Sequence, residues 1–177
     1  MVQHIIETFG RDASGTLLDL GTGSGCIAVT LALELPRTTV VATDVDPQAL
    51  AVARENARNL QASVKFHQHN MLTEELPVDS VDAVVSNPPY VREGEKKFLA
   101  HNVAGFEPHH ALFVPDDDPL VFHRTIAQKA RLVLKPGGLL TMEINEALGS
   151  DVREEVGRAG FSGVTLHQDL DGKDRFV

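Results

Sequence analysis

Residues 16–36 read TLLDLGTGSGCIAVTLALELP, and the fold turns on how that stretch divides. Thr16–Leu20 is an apolar run of strand length, stopped by Gly21, and Cys26–Leu35 carries apolar residues at helical spacing up to Pro36. Strand, glycine loop and helix in that order open a βαβ unit. The alternation continues outward. Thr39–Thr43 (TVVAT) is a second strand, and Asp46-Pro47 sets a capping side chain ahead of a proline, so a helix runs from there to about Leu60. Ser63–His67, Val81–Ser86 and Leu139–Ile144 are predicted strands; helices are predicted over residues 2–9, from Asp118-Pro119 to about Leu134, and over Leu148–Arg158. Lys135-Pro136-Gly137-Gly138 reads as a turn. Two short strands near Gly163–His167 and Asp174–Val177 leave no room for a crossover helix, so they form an antiparallel hairpin. The expectation is an α/β fold: a mostly parallel seven-stranded sheet with an antiparallel C-terminal strand and helices on both faces. Residues 91–115 show no period, and a stretch of that length in a compact domain is expected to be a functional loop or disordered; it is read here as a loop on the substrate side.

The chain has 177 residues, 42% of them apolar and 23% charged, which suits one globular domain over residues 1–177. No apolar run approaches the roughly 20 residues of a bilayer span, and the opening MVQHIIETFG lacks a basic start and a small-residue cleavage site, so neither a membrane span nor a signal peptide is expected. A single cysteine, Cys26, permits no internal disulfide and points to a reducing, cytoplasmic setting. Formal net charge is −9, which disfavours a nucleic-acid partner held through its phosphates.

Asp19-Leu20-Gly21-Thr22-Gly23-Ser24-Gly25 lies between the first strand and its helix, where an open α/β sheet places its ligand. Glycines there permit positive φ and close approach of backbone to ligand. The spacing is G-x-G-x-G; Cys26 takes the place of the third glycine of a dinucleotide fingerprint, and no Gly-Lys-Ser/Thr follows. A ligand without a cradled phosphate fits better, although a strand-to-helix turn can need glycine for itself alone. Asp44, at the end of the second strand, can accept hydrogen bonds from both hydroxyls of a ribose. Asn70, after the third strand, is placed to meet an adenine amino group, or else is a turn asparagine. Asn87-Pro88-Pro89-Tyr90 follows the fourth strand directly. Two prolines fix φ and remove two donors. What remains is a rigid acceptor pair, the Asn87 side-chain oxygen and the Pro88 carbonyl, matched to a planar –NH₂ group. Tyr90, the only tyrosine, offers a face for that group to stack on.

These motifs resemble the class I S-adenosylmethionine-dependent methyltransferases, a Rossmann-like fold, and among them the N-methyltransferases with (D/N/S)-P-P-(Y/F/W). Asp19–Ala28 (DLGTGSGCIA), Ser86–Val91 (SNPPYV), Phe106-Glu107-Pro108 with Ala111-Leu112, Leu134–Leu140 (LKPGGLL), Glu143-Ile144 and Asp174-Arg175 occur in order. In that order they resemble the HemK/PrmC family of protein-(glutamine-N5) methyltransferases, which modify peptide chain release factors. The resemblance implies S-adenosyl-L-methionine as methyl donor, S-adenosyl-L-homocysteine as product, and as acceptor the glutamine of a release factor's Gly-Gly-Gln loop. It implies donor contacts from Asp19, Gly21, Thr22, Gly23, Gly25, Asp44, Val45, Asn70, Met71 and Asn87. It implies acceptor contacts from Asn87, Pro88, Pro89, Tyr90 and Glu107, of which Asn87, Pro88 and Tyr90 carry the chemistry and Glu107 is structural or orients the substrate loop. A monomer is expected, and no metal. Family members also have an N-terminal helical domain and a Pro-Arg-Pro-x-Thr-Glu-like segment; these 177 residues contain neither, and Val114–Asp118 (VPDDD) stands where many relatives have a glycine-rich turn. Alternatives are an acceptor amine on adenine or guanine in nucleic acid, and a non-catalytic methyltransferase-like subunit.

Other signals are assigned bland roles. His67 and His69 are expected to be a solvent-facing pair and not metal ligands. Asp116–Asp118 supply charge at a helix N-terminus, with Asp118 as cap. Arg92, Lys96 and Lys97 are diluted by Glu93 and Glu95. Cys26 is expected to pack as a small apolar residue.

Overall fold

Five short runs, four of them rich in valine or leucine, pair side by side, all in one direction. A computed structural model describes residues 1–98 and 109–177. Its central strands are β1 (Gly15–Leu20), β2 (Thr38–Asp44), β3 (Val64–Gln68), β4 (Val81–Ser86) and β7 (Leu134–Met142), in the order β3-β2-β1-β4-β7 and all parallel. The order reverses at β1, so the first strand is central and its carboxyl end opens onto the switch point of the sheet. The remaining strands are short. β5 (Val91–Arg92) and β6 (Phe113–Val114) pair parallel with each other, and β8 (His167–Gln168) pairs antiparallel with β9 (Asp174–Phe176).

Alternation along each strand sends side chains into two separate cores. On one face Leu17, Val40, Ala42, Ala83 and Val85 meet α1 (Val2–Phe9) and α2 (Cys26–Glu34) through Ile5, Ile6, Ala28 and Leu31. On the other, Leu18, Leu20 and Val84 meet α5 (Val121–Val133) and α6 (Gly149–Arg158) through Ile126, Ala127, Ala130, Val152 and Val156. α3 (Pro47–Asn59) buries Leu50, Ala53 and Ala57, and its Asp46 cap accepts the Gln48 N–H at 2.8 Å as the Asp-Pro pair predicts. A one-turn helix, α4 (His109–Leu112), precedes β6.

Four expectations change. The parallel sheet holds five of the seven strands; β9 is laid antiparallel along the end of β7, with Met142 and Val177 exchanging N–H···O bonds of 2.9 and 3.0 Å and Ile144 donating to Arg175 at 3.0 Å, and β8 is attached through β9 alone. β7 begins at Leu134, ahead of the expected turn: Leu134 pairs with Val81 and Leu139 with Ala83, so the Lys-Pro-Gly-Gly segment bulges out of a continuing strand, with Gly137 at φ 80°. α5 begins at Val121 and has no side-chain cap, because Asp118 is engaged by the Arg124 guanidinium and Asp116 accepts the Gly94 N–H at 3.0 Å. Within 91–115, residues 91–98 and 109–114 form short elements, including a 3-10 turn over Glu93–Phe98.

Candidate active site

Parallel strands deliver their carboxyl ends to one edge, and that edge collects the candidate residues. In register Leu20 faces Thr43 on one side and Ser86 on the other, so the glycine loop after β1, Asp44 at the end of β2 and Asn87 after β4 are neighbours. The Ser86 hydroxyl donates to the Leu20 carbonyl at 2.7 Å and locks the two exits together. His69 donates its N–H to the Asp44 carbonyl at 2.9 Å, which brings Asn70 and Met71 to the same edge.

The glycine loop is held from both sides. Thr22 donates its N–H to the Thr43 carbonyl (2.8 Å) and its hydroxyl to Asp19 Oδ2 (2.6 Å). Gly23 donates to Asp44 Oδ2 (2.8 Å), while Asp44 Oδ1 accepts the Asp46 N–H (2.9 Å). Each Asp44 oxygen therefore uses one of its two lone pairs on the backbone and keeps one. Gly25, the residue before α2, stands at φ 86°, and a Cβ there would lie 3.0 Å from Ala53 Cβ and 3.2 Å from Ala53 Cα. Gly23 stands at φ 56° with nothing within 4 Å of its Cβ position: the loop is open to the outside at this point.

Asp19 is fully buried beneath the loop, and its Oδ1 has no hydrogen-bond partner. Burial pushes its carboxyl up to about 7, against the stabilising pull of the Thr22 hydroxyl. Asn70 makes its turn as well as standing at the site: Oδ1 accepts the Leu72 N–H at 2.9 Å. Val45 is an exposed apolar side chain beside Asp44, and Met71 Cε lies 3.0 Å from where a Gly21 Cβ would be. An open glycine cradle, a carboxylate with spare acceptor capacity and flanking apolar groups fit a nucleoside-bearing ligand.

Across the edge, Asn87 is exposed, Pro88 buried, and Pro89 and Tyr90 half-buried. The Tyr90 hydroxyl donates to Glu143 Oε1 at 3.0 Å. Burial first, then the Glu143 carboxylate, pushes that hydroxyl up to about 12. Its carbonyl accepts the Asn145 Nδ2 at 3.3 Å. Sequence reasoning missed both partners; the signal for one of them was Glu143 itself, noted in a motif but given no role. Glu107 lies outside the described residues.

Two bland assignments are corrected. Cys26 is exposed at the first residue of α2, its sulfur 3.3 Å from the Ser24 hydroxyl, because the loop turns it outward from the core. His69 is buried, 4% exposed, with Nε2 3.0 Å from the Glu75 carbonyl and 3.3 Å from that of Glu74, so it ties the loop after β3 while His67 faces solvent. Among the described residues no group of three or more His, Cys, Asp or Glu side chains could hold a metal, and no helix is long and apolar enough to cross a membrane.

A parallel sheet reversed at its first strand, with an antiparallel C-terminal pair, is the architecture of class I S-adenosylmethionine-dependent methyltransferases. A methyltransferase from Pyrococcus furiosus superposes with a TM-score of 0.68 at 18% identity, covering 98% of this chain and 78% of that one, a likeness of fold. Residues 2–105 match the family model of the methyltransferase small domain, and the chain belongs to that family. It is 46% identical over 162 residues to a release factor glutamine methyltransferase of Bacteroides thetaiotaomicron, and 45% identical over 161 residues to one of Flavobacterium psychrophilum. Each alignment covers 91% of this chain, which spans 58% and 56% of the lengths of those two relatives.

Proposed function

We propose that this chain is an S-adenosylmethionine-dependent methyltransferase that transfers a methyl group to the side-chain amide nitrogen of the Gly-Gly-Gln glutamine in peptide chain release factors. The observation that carries the reading is the placement of Asn87–Tyr90 directly beside the glycine loop, on adjacent strands paired Leu20 to Ser86. The names of the relatives support the release factor as acceptor. We read residues 1–177 as one domain in a cytoplasmic monomer that needs no metal, with residues 91–115, Glu107 included, on the substrate side.

Gly21, Thr22, Gly23, Gly25, Asp44, Val45, Asn70, Met71 and Asn87 would hold the donor, and Asp19 supports the loop from below. When bound, the donor supplies an electrophilic methyl group on a sulfonium and leaves as S-adenosyl-L-homocysteine. The free lone pairs of Asp44 suit ribose hydroxyls, and Val45 and Met71 suit the faces of a purine. On the acceptor side the difficulty is that an amide lone pair is delocalised into its carbonyl. The Asn87 side-chain oxygen and the Pro88 carbonyl can each accept one N–H of the amide. That raises electron density on nitrogen and fixes its direction. Pro89 keeps the array rigid, and the Tyr90 ring packs on the amide plane. Orientation of this kind contributes several powers of ten in rate when reacting atoms are held roughly 3–3.5 Å apart. Methyl transfer to the held nitrogen would break the donor's S–C bond as the N–C bond forms, and would leave that nitrogen strongly acidic, so that one of its two protons would pass to water. No general base is required.

The test is transfer of labelled methyl from S-adenosylmethionine to a purified bacterial release factor, beside a release factor whose Gly-Gly-Gln glutamine is replaced. Label on the intact factor alone is the expected result. Label on both, on nucleic acid only, or on none with donor bound, overturns the glutamine assignment.

A further inference from the structure

Tyr90 is held at both ends by one short segment that follows β7. Its hydroxyl donates to Glu143 Oε1 (3.0 Å), and its backbone carbonyl accepts from Asn145 Nδ2 (3.3 Å). The segment is itself fixed. Glu143 donates its N–H to the Ser86 carbonyl at 3.0 Å, at the residue immediately before Asn87, and its carbonyl lies 2.9 Å from Nε2 of buried His123. Asn145 Oδ1 accepts the Ala147 N–H (3.0 Å), and Asn145 Nδ2 also reaches Glu95 Oε2 (3.0 Å). Arg175 stands close to Tyr90 and Glu143 and is anchored on Asp169 through Nε (3.2 Å) and Nη2 (2.8 Å). The carboxylate bonded to the Tyr90 hydroxyl is half-buried. Its geometric effect is to deny the Tyr90 ring rotation and swing beside Asn87.

We infer that Glu143 and Asn145 are positioning residues of the acceptor site, which clamp Tyr90 by its hydroxyl and its carbonyl and thereby set the plane on which the acceptor amide packs. The inference rests on the function proposed above, but the clamp can be read without turnover. Tyr90 is the only tyrosine and there is no tryptophan, so tyrosine emission and near-UV tyrosine dichroism come from this residue alone. A tyrosine hydroxyl bonded to a carboxylate is quenched by proton transfer in the excited state.

The experiment compares the full chain with E143A, E143Q, N145D and Y90F. N145D keeps the Ala147 acceptor but cannot donate to Tyr90. The clamp predicts brighter tyrosine emission in E143A and E143Q, and weakened tyrosine dichroism in E143A and N145D. In methyl transfer, E143A and Y90F each lose about tenfold in kcat, the size of one lost hydrogen bond to a charged group. The double variant loses no more than the worse single one, E143Q recovers most of the loss, and donor Kd stays unchanged. Losses that multiply in the double variant, or a donor Kd that rises as kcat falls, overturn the positioning role. Emission and dichroism unchanged in E143Q and N145D overturn the clamp, even if E143A does not fold. A wild-type chain that labels no release factor sinks the proposed function and leaves the spectroscopic arms to decide the clamp.

Discussion

Asp19 shows how much one residue can carry at this sheet edge. Its side chain is fully buried, one oxygen is unpartnered, and its carboxyl is raised from 3.8 to about 7 chiefly by burial. The unfolded chain holds the proton only near pH 4, the folded chain to about pH 7. The stabilising contribution is therefore full below the unfolded value and is lost as pH rises through the folded one. Relative to D19N, which is neutral throughout, wild-type stability should fall by about 3 kcal/mol between about pH 5 and about pH 8 and then level off. Urea unfolding of both proteins across that range measures it; a constant difference would show that Asp19 is ionised in the fold at every pH.

At the scale of the element, the strand–loop–helix unit separates two glycines that look alike in sequence. Gly25→Ala adds a Cβ 3.0 Å from Ala53 Cβ and 3.2 Å from its Cα, at φ 86°. Neither α2 nor α3 can yield without losing its core contacts, so the cost should be about 3 kcal/mol or more. Gly23→Ala meets nothing within 4 Å and bears only the left-handed backbone penalty, about 1–2 kcal/mol. Both should weaken donor binding, by calorimetry, but only Gly25→Ala should shift the denaturation midpoint strongly; equal shifts would mean that α2 and α3 adjust.

The same unit explains what was legible beforehand. β4 matches its expected bounds at Val81–Ser86 and α1 covers residues 2–9 as expected, because each is a local apolar pattern ended by local punctuation. Once the strands run parallel, residues at their carboxyl ends share an edge, so Gly21–Gly25, Asp44, Asn70 and Asn87 could be brought together from order alone. Contacts between distant segments were not legible. The start of β7 depends on Leu134 finding Val81, the start of α5 on Arg124 taking Asp118, and the hold on Tyr90 on a partner 53 residues away. His69 and Cys26 exchanged their expected exposures because each is set by a loop's path and not by its own polarity.

For the molecule as a whole, the vulnerable place is the outer edge of β7, where the parallel sheet would present unpaired backbone to solvent. β9 covers it. Met142 and Val177 exchange two hydrogen bonds, Thr141 Oγ1 donates to the Val177 carbonyl at 2.7 Å, and Phe176 is 8% exposed, stacked on His167 at 4.6 Å between ring centres. The cover also reaches the proposed acceptor site, since Arg175, between Asp174 and Phe176, stands near Tyr90 and Glu143. Phe176→Ala removes the anchor and changes no side chain of the proposed acceptor site, although the Phe176 backbone pairs with Glu143. It should cost about 3 kcal/mol, within the usual range for a buried phenylalanine. Because β9 is held by so few bonds, the loss should appear first as local opening: faster amide exchange at Met142 and Ile144 under conditions where β1 and β2 remain protected. Methyl transfer should decline with it, at a temperature where the variant is still folded, as the clamp on Tyr90 loosens. Faster exchange with methyl transfer intact would place β9 in the edge's protection alone and detach it from the acceptor site.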